Sequence, residues 1–345
     1  MSAIPEPSAA EFQARLKAAE ARLRADPADL EALIAKGDAL ARLGDERGAG
    51  AFHAAALRVA RTRGASPALA SEVRRIEAET SARAARFEAA LREGVARAGH
   101  DPARSSERFT LSLDLLTGRK QLHLSAPRFY FFPGLPQVQF QPRESLPWID
   151  RIEAATDEIA SELEGLLADP DLFKPYVEPR GDRPARDAQG MVANADWSAV
   201  FLWKDGVEQR EAASRCPRTL EALRDVPLCR VPGRTPSILF SRLTPGARIP
   251  PHHGLINTRL ICHLPLIVPR GCRFRVGSDE REWERGEAWA FDDTVEHEAV
   301  NGSDRDRIIL IFDVWKPELT DEERSLVSAM FQVIDGESAS PAWGV

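Results

Sequence analysis

A chain of 345 residues, 43% of them hydrophobic, is long enough for two domains, or one large domain with an extension, around a sizeable core. Its 46 basic and 53 acidic residues leave a net charge of −7, which argues against a nucleic-acid binder. No apolar run approaches a membrane span, no basic-then-apolar stretch opens the chain, and the four cysteines lack metal spacing. A cytoplasmic protein with free thiols and no membrane partner is therefore expected.

Residues 1–100 are rich in Ala, Arg, Glu and Leu, with apolar positions three and four apart, and predict an all-α domain. Asp26-Pro27 breaks the first helix. In the stretch "LIAKGDALARLGDERGAGAFHAAALRVA", Gly37 sits inside a helix, Gly44 ends it, and Ala51, Ala55 and Ala56 lie on the next. Small residues so placed let two antiparallel helices approach closely, an arrangement that resembles a tetratricopeptide-like pair; a plain helical bundle is the alternative. Residues 101–143 read as a linker and lead-in segment, and 144–345 as the second domain.

That second domain starts with a helix predicted over "SLPWIDRIEAATDEIASELEGLLAD", with Ser145 as its cap and Pro147 in the first turn. Short runs rich in Val, Ile, Phe and Trp follow: "WSAVFLW", "SILFSRL", "TRLICHLPLIV", "CRFRV", "REWERG", "EAWAFDD" and "RIILIFDVW". With Gly or Pro at their ends, they predict an all-β barrel or jelly roll. A closing helix is expected at "LTDEERSLVSAMF", where Thr320 and Glu323 form a capping box.

The chemistry concentrates in the β region. "RIPPHHGLINTRLICHLPL" holds three of the seven histidines, yet no acid follows either His252 or His253 at metal-ligand spacing. His252 reads as part of a Pro-Pro-flanked loop, and His297 follows the strand of Trp289 and Phe291. The two are 45 residues apart, a span that lets antiparallel strands return to one mouth of a barrel. Neutral imidazoles are good iron ligands, so this pair makes half a coordination sphere. Arg307, ten residues beyond His297, needs an anion if it points inward, and a carboxylate suits its fork. Ser241 can add a hydroxyl to the same carboxylate. Two histidines, an arginine and a serine in a jelly roll are what an oxygenase using Fe(II), O2 and 2-oxoglutarate needs.

The segments "FYFFPGLP", "DWSAVFLWKDG", "CPRTLEAL", "LTPGARIPPHHGLINTRLICHL", "GEAWAFDDTVEHEAVN" and "RIILIFDVWKPEL" resemble, in order and spacing, the aspartyl/asparaginyl β-hydroxylase family. The resemblance runs from about Phe129 to Phe331. It implies a double-stranded β-helix core with flanking helices, Fe(II) bound by His252 and His297 alone, and Gly254 where an acid ligand would otherwise stand. It also implies that Ser241 and Arg307 hold the distal carboxylate of 2-oxoglutarate, that His263 and Trp203 line the pocket, and that Asp292 and Asp293 are structural. Family members often carry arginine where Ile261 stands here, so the resemblance leaves the substrate open. The expected reaction is hydroxylation of an unactivated carbon, at the β-carbon of an Asp/Asn-type residue in a peptide or protein. The alternatives are a free amino acid or other small metabolite, and a non-catalytic binding module. The N-terminal helices would offer a surface for protein contact.

Overall fold

Polar caps and small residues shape the N-terminal helices. The computed structural model describes residues 8–178 and 190–337, in two units, Met1–Lys120 and Gln121–Val345. The first unit contains α1 (Ala9–Ala25), α2 (Leu30–Arg42), α3 (Glu46–Arg63), α4 (Ala70–Arg97) and α5 (Glu107–Leu116). Ser8 and Glu11 form a capping box on α1, while Asp29 and Asp45 accept backbone N–H bonds at the starts of α2 and α3. Gly44 takes a positive φ of 87° between α2 and α3. Gly37 lies where any Cβ would overlap the ring of buried His53, so glycine sets the close approach of α2 to α3. The predicted linker contains α5, and the boundary between units falls after Lys120.

In the second unit the long predicted helix is two helices, α6 (Ile149–Ala154) and α7 (Thr156–Leu167), separated at Ala155. Then come β1 (Lys174–Pro175), β2 (Trp197–Lys204), β3 (Val207–Glu208), α8 (Arg210–Ala213) and α9 (Pro217–Ala222). The remaining strands are β4 (Ile238–Leu243), β5 (Arg248–His252), β6 (Arg259–Ile267), β7 (Cys272–Val276), β8 (Asp279–Glu282), β9 (Trp289–Phe291), β10 (His297–Asn301) and β11 (Arg307–Trp315). The last helix, α10 (Asp321–Glu337), starts at the expected Thr320/Glu323 capping box.

The larger sheet runs β1-β2-β4-β11-β6-β9 with β3 on β2, and the smaller runs β5-β10-β7-β8; the strand pairs are antiparallel. Counted from β4 to β11, the larger sheet sets the first, eighth, third and sixth strands side by side. The smaller takes the second, seventh, fourth and fifth. That alternation is a double-stranded β-helix, or jelly roll. Side chains on a strand alternate between faces. On the larger sheet Phe240, Leu264, Leu310 and Phe312 turn outward onto Ile152, Ile159, Leu163 and Leu166 of α6 and α7. The opposite face packs with Phe274, Val276 and Ile249 of the smaller sheet. The inner residues that are not sealed in this packing line the site.

Candidate functional site

A cavity of about 740 Å³ opens between the two sheets, and its walls include Ser241, His252, His263, His297 and Arg307. The fold brings together five of the six residues singled out from sequence.

His252 is not in a loop. It ends β5, and His297 begins β10 directly opposite it in the antiparallel register, with ring centroids 4.1 Å apart. Each ring meets a carbonyl two residues earlier in the chain: His252 Nδ1 lies 2.8 Å from Pro250 O and His297 Nδ1 lies 3.0 Å from Val295 O. A carbonyl only accepts, so Nδ1 carries the proton in both rings and the lone pair is left on Nε2. Burial pushes His252 below its ordinary value, and His297 well below, with the neighbouring imidazole adding to the effect on His297. Two neutral imidazoles with oriented lone pairs fit a divalent metal. His253 turns instead to Thr294 O at 3.0 Å.

Arg307 is 1% exposed, and its Nε and Nη1 have no hydrogen-bond partner. Its guanidinium lies 4.8 Å above the Trp283 ring, and burial lowers its pKa to about 10. Ser241, fully buried, stands opposite Ile309 on the adjacent strand. Its hydroxyl oxygen accepts from Trp197 Nε1 at 3.1 Å. An orphaned buried guanidinium in the same cavity as an available hydroxyl proton fits a carboxylate. His263 Nδ1 accepts from Trp283 Nε1 at 3.3 Å, and burial holds the ring well below its ordinary pKa.

Trp203 corrects the sequence expectation. It is absent from the cavity lining and packs instead against the core cluster on the outer side of the larger sheet. Strict alternation from Trp197 through Ala199 and Phe201 would have turned it inward. A register irregularity between Phe201 and Trp203 pairs Phe201 with Leu239 but Trp203 with Ile238, one residue on, and reverses its face. Trp197 takes the wall position, stacked on Tyr176 with centroids 4.0 Å apart. Its place at the start of the "WSAVFLW" alternation was the available signal.

Asp292 and Asp293 have different surroundings. Asp292 is sealed in a buried pair with Lys316 at 2.7 Å and accepts from the Thr294 N–H at 3.0 Å, bracing the turn that leads to His297. Asp293 lines the cavity, with its carboxylate in the space a Cβ on Gly254 would need. Burial raises its pKa to about 6, against the opposing pull of Arg259. Arg259 lies between Asp313 at 3.1 Å and Asp293 at 3.4 Å. Ile261 follows on the same face of β6. A separate group, Asp38, His53 and Glu79 in the first unit, brings its ligand atoms within 4.8 Å of one another. Arg75 already pairs with Asp38 at 2.7 Å and Glu79 at 2.9 Å, so this is an ion-pair network.

The family described as aspartyl/asparaginyl beta-hydroxylase matches residues 153–317. The aspartyl/asparaginyl beta-hydroxylase of Mus musculus is 37% identical over 146 residues, 41% of this chain and 19% of that protein. The ornithine lipid ester-linked acyl 2-hydroxylase of Rhizobium tropici is 33% identical over 176 residues, 50% of this chain and 59% of that protein. Aspartate beta-hydroxylase domain-containing protein 2 of Xenopus tropicalis is 28% identical over 212 residues, 60% of this chain and 55% of that protein. The chain thus spans between 19% and 59% of the length of these relatives. Among the described residues no helix is long and apolar enough to cross a membrane. The segment that matches the aspartyl/asparaginyl β-hydroxylase family thus coincides with the jelly roll and its cavity in the second unit of this chain.

Proposed function

We propose that the protein is an Fe(II)- and 2-oxoglutarate-dependent hydroxylase, in which R–H, O2 and 2-oxoglutarate become R–OH, succinate and CO2. The observation that carries this reading is Arg307, a fully buried cation with unpartnered donors in the same cavity as the His252–His297 pair. Leaving a guanidinium in that state costs several kcal/mol unless an anion completes it.

His252 and His297 would hold the metal through Nε2, because Nδ1 of each is committed to a backbone carbonyl. Iron bound there supplies oxygen activation for attack on an unactivated C–H bond. The protein's own groups do the positioning. Arg307 and Ser241 take the distal carboxylate of 2-oxoglutarate, Trp197 orients the Ser241 hydroxyl, and Trp283 fixes the His263 ring. The packed aromatics Phe274, Phe291 and Trp283 keep water from that end of the cavity.

Two substrate classes come from the sequence, an Asp/Asn-type residue of a polypeptide and a small metabolite. The names of the relatives span both kinds of target, an aspartyl or asparaginyl residue and a lipid acyl group. The aliphatic Ile261 in the wall favours the second class. The test is anaerobic titration of the Fe(II)-loaded protein with 2-oxoglutarate, followed by succinate release in air. A protein that binds Fe(II) but shows neither 2-oxoglutarate binding nor succinate would rule the proposal out.

A further inference from the structure

The cations lining the cavity differ in how they are matched. Arg307 is buried without a partner, Lys204 pairs with Glu178 at 2.8 Å, and Arg259 lies between the Asp313 and Asp293 carboxylates. Arg128 is exposed and forms no ion pair among the described residues. A substrate carboxylate placed beside Arg259 would meet two carboxylates already there, and like charges at such range repel. One stretch of the wall near Arg259 is aliphatic and aromatic. Phe201, Leu239 and Ile311 stand in one row across β2, β4 and β11, with Ile261 on the neighbouring strand β6.

Arg128 is held next to the metal-binding strand by its backbone. Its N–H donates to Gly254 O at 3.0 Å, two residues past His252, and the Phe129 N–H donates to Leu255 O at 2.9 Å. The Ala126 N–H donates to Thr294 O at 2.8 Å, tying the same segment to the His297 turn. The Arg128 side chain therefore reaches the cavity from a braced segment while its charge stays open to a ligand.

We infer that the substrate is an aliphatic monocarboxylate, its one carboxylate taken by Arg128 and its hydrocarbon segment lying along Ile261, Leu239, Ile311 and Phe201. This rests on the hydroxylase reading and names its substrate class. A cavity of about 740 Å³ suits a drug-sized ligand and exceeds what a five-carbon diacid fills. The reacting end of the substrate carries no second acid, which separates it from an aspartyl side chain.

The test uses the full chain loaded with Fe(II) and 2-oxoglutarate, with octanoate, octanamide and an aspartate-containing peptide as probes. Calorimetry gives affinity, and succinate release gives turnover. Octanoate is expected to bind roughly fivefold or more tighter than octanamide, as one charge-assisted pair in a half-open site allows, and to accelerate succinate release. Arg128→Gln should erase that preference, weakening octanoate and leaving octanamide unaltered. Equal binding of octanoate and octanamide by the unmutated protein, or undiminished octanoate affinity in Arg128→Gln, overturns the inference. Acceleration by the peptide alone overturns it in favour of a polypeptide substrate. Since octanoate binding is read without turnover, absent 2-oxoglutarate binding would count against the hydroxylase reading separately.

Discussion

His252 and His297 face each other across the β5–β10 pair, rings 4.1 Å apart, each turned by a hydrogen bond from its own Nδ1 to a carbonyl two residues earlier. The same local device used twice aims both Nε2 atoms without help from a third side chain. His297→Ala should therefore abolish Fe(II) or Co(II) binding, whereas His253→Ala, which loses only a bond to Thr294 O, should retain it. Metal titration by cobalt absorption distinguishes the two. Loss of binding in His253→Ala alone would reverse the assignment.

The space beside Gly254 belongs to Asp293. A Cβ at position 254 would overlap that carboxylate, so even Gly254→Ala should destabilise the domain, by about 1–3 kcal/mol as overpacking does. Gly254→Asp, which on the family pattern would supply a missing ligand, should be worse, because it adds a second buried carboxylate. Chemical denaturation of Gly254→Ala with and without Asp293→Ala checks this. The double variant should recover part of the loss. A single Gly254→Ala variant as stable as the parent would contradict the packing account.

The jelly roll was legible because its strands are short runs of β-branched and aromatic residues. His252, His297 and Arg307 stood out because histidine and arginine rarely enter such runs unpaired. What stayed hidden was set by strand pairing. Pro250 and Pro251 made β5 read as a loop, yet β5 is the edge strand of the smaller sheet, where a missing N–H breaks no ladder. The irregularity that turns Trp203 away from the cavity leaves no local sequence mark, so the resemblance that implied Trp203 as the wall residue gave no sign that Trp197 takes that place. The Arg259–Asp313 and Arg259–Asp293 pairs join residues 54 and 34 positions apart and appear only once β6 lies between β11 and β9.

Asp292 and Lys316 form a pair that is 0% and 3% exposed by side chain. Removing one member leaves the other charge buried and unmatched, which costs about 3–5 kcal/mol. Lys316→Met should lower stability by that order and also weaken metal binding, because Asp292 braces the turn through the Thr294 N–H and hydroxyl. Thermal unfolding and metal titration of the same variant check both. Full stability in Lys316→Met would show that the carboxylate is satisfied without the lysine.

The cosubstrate site makes a graded prediction, because three residues contribute to it in different ways. Arg307 would supply charge and two donors, and its loss from a buried pair should cost about 3–5 kcal/mol, or at least a hundredfold in 2-oxoglutarate affinity. Ser241 would supply one hydroxyl bond to a charged group, so Ser241→Ala should cost no more than about 1.5–3 kcal/mol. Trp197 touches neither charge. Its indole N–H donates to the Ser241 oxygen at 3.1 Å and thereby directs the hydroxyl proton elsewhere. Trp197→Phe keeps the ring stacked on Tyr176 and removes only that donor, so its effect should fall below that of Ser241→Ala. In the Ser241→Ala background it should vanish, since the oxygen it orients is gone. Anaerobic 2-oxoglutarate titration of the Fe(II)-loaded variants measures all four proteins on one scale. His252 and His297 are untouched in the series, so Fe(II) affinity should stay close to that of the parent throughout. An Arg307→Ala variant with undiminished 2-oxoglutarate affinity would place the cosubstrate elsewhere. Additive effects of Trp197→Phe and Ser241→Ala would mean that the tryptophan acts through packing and not through the hydroxyl.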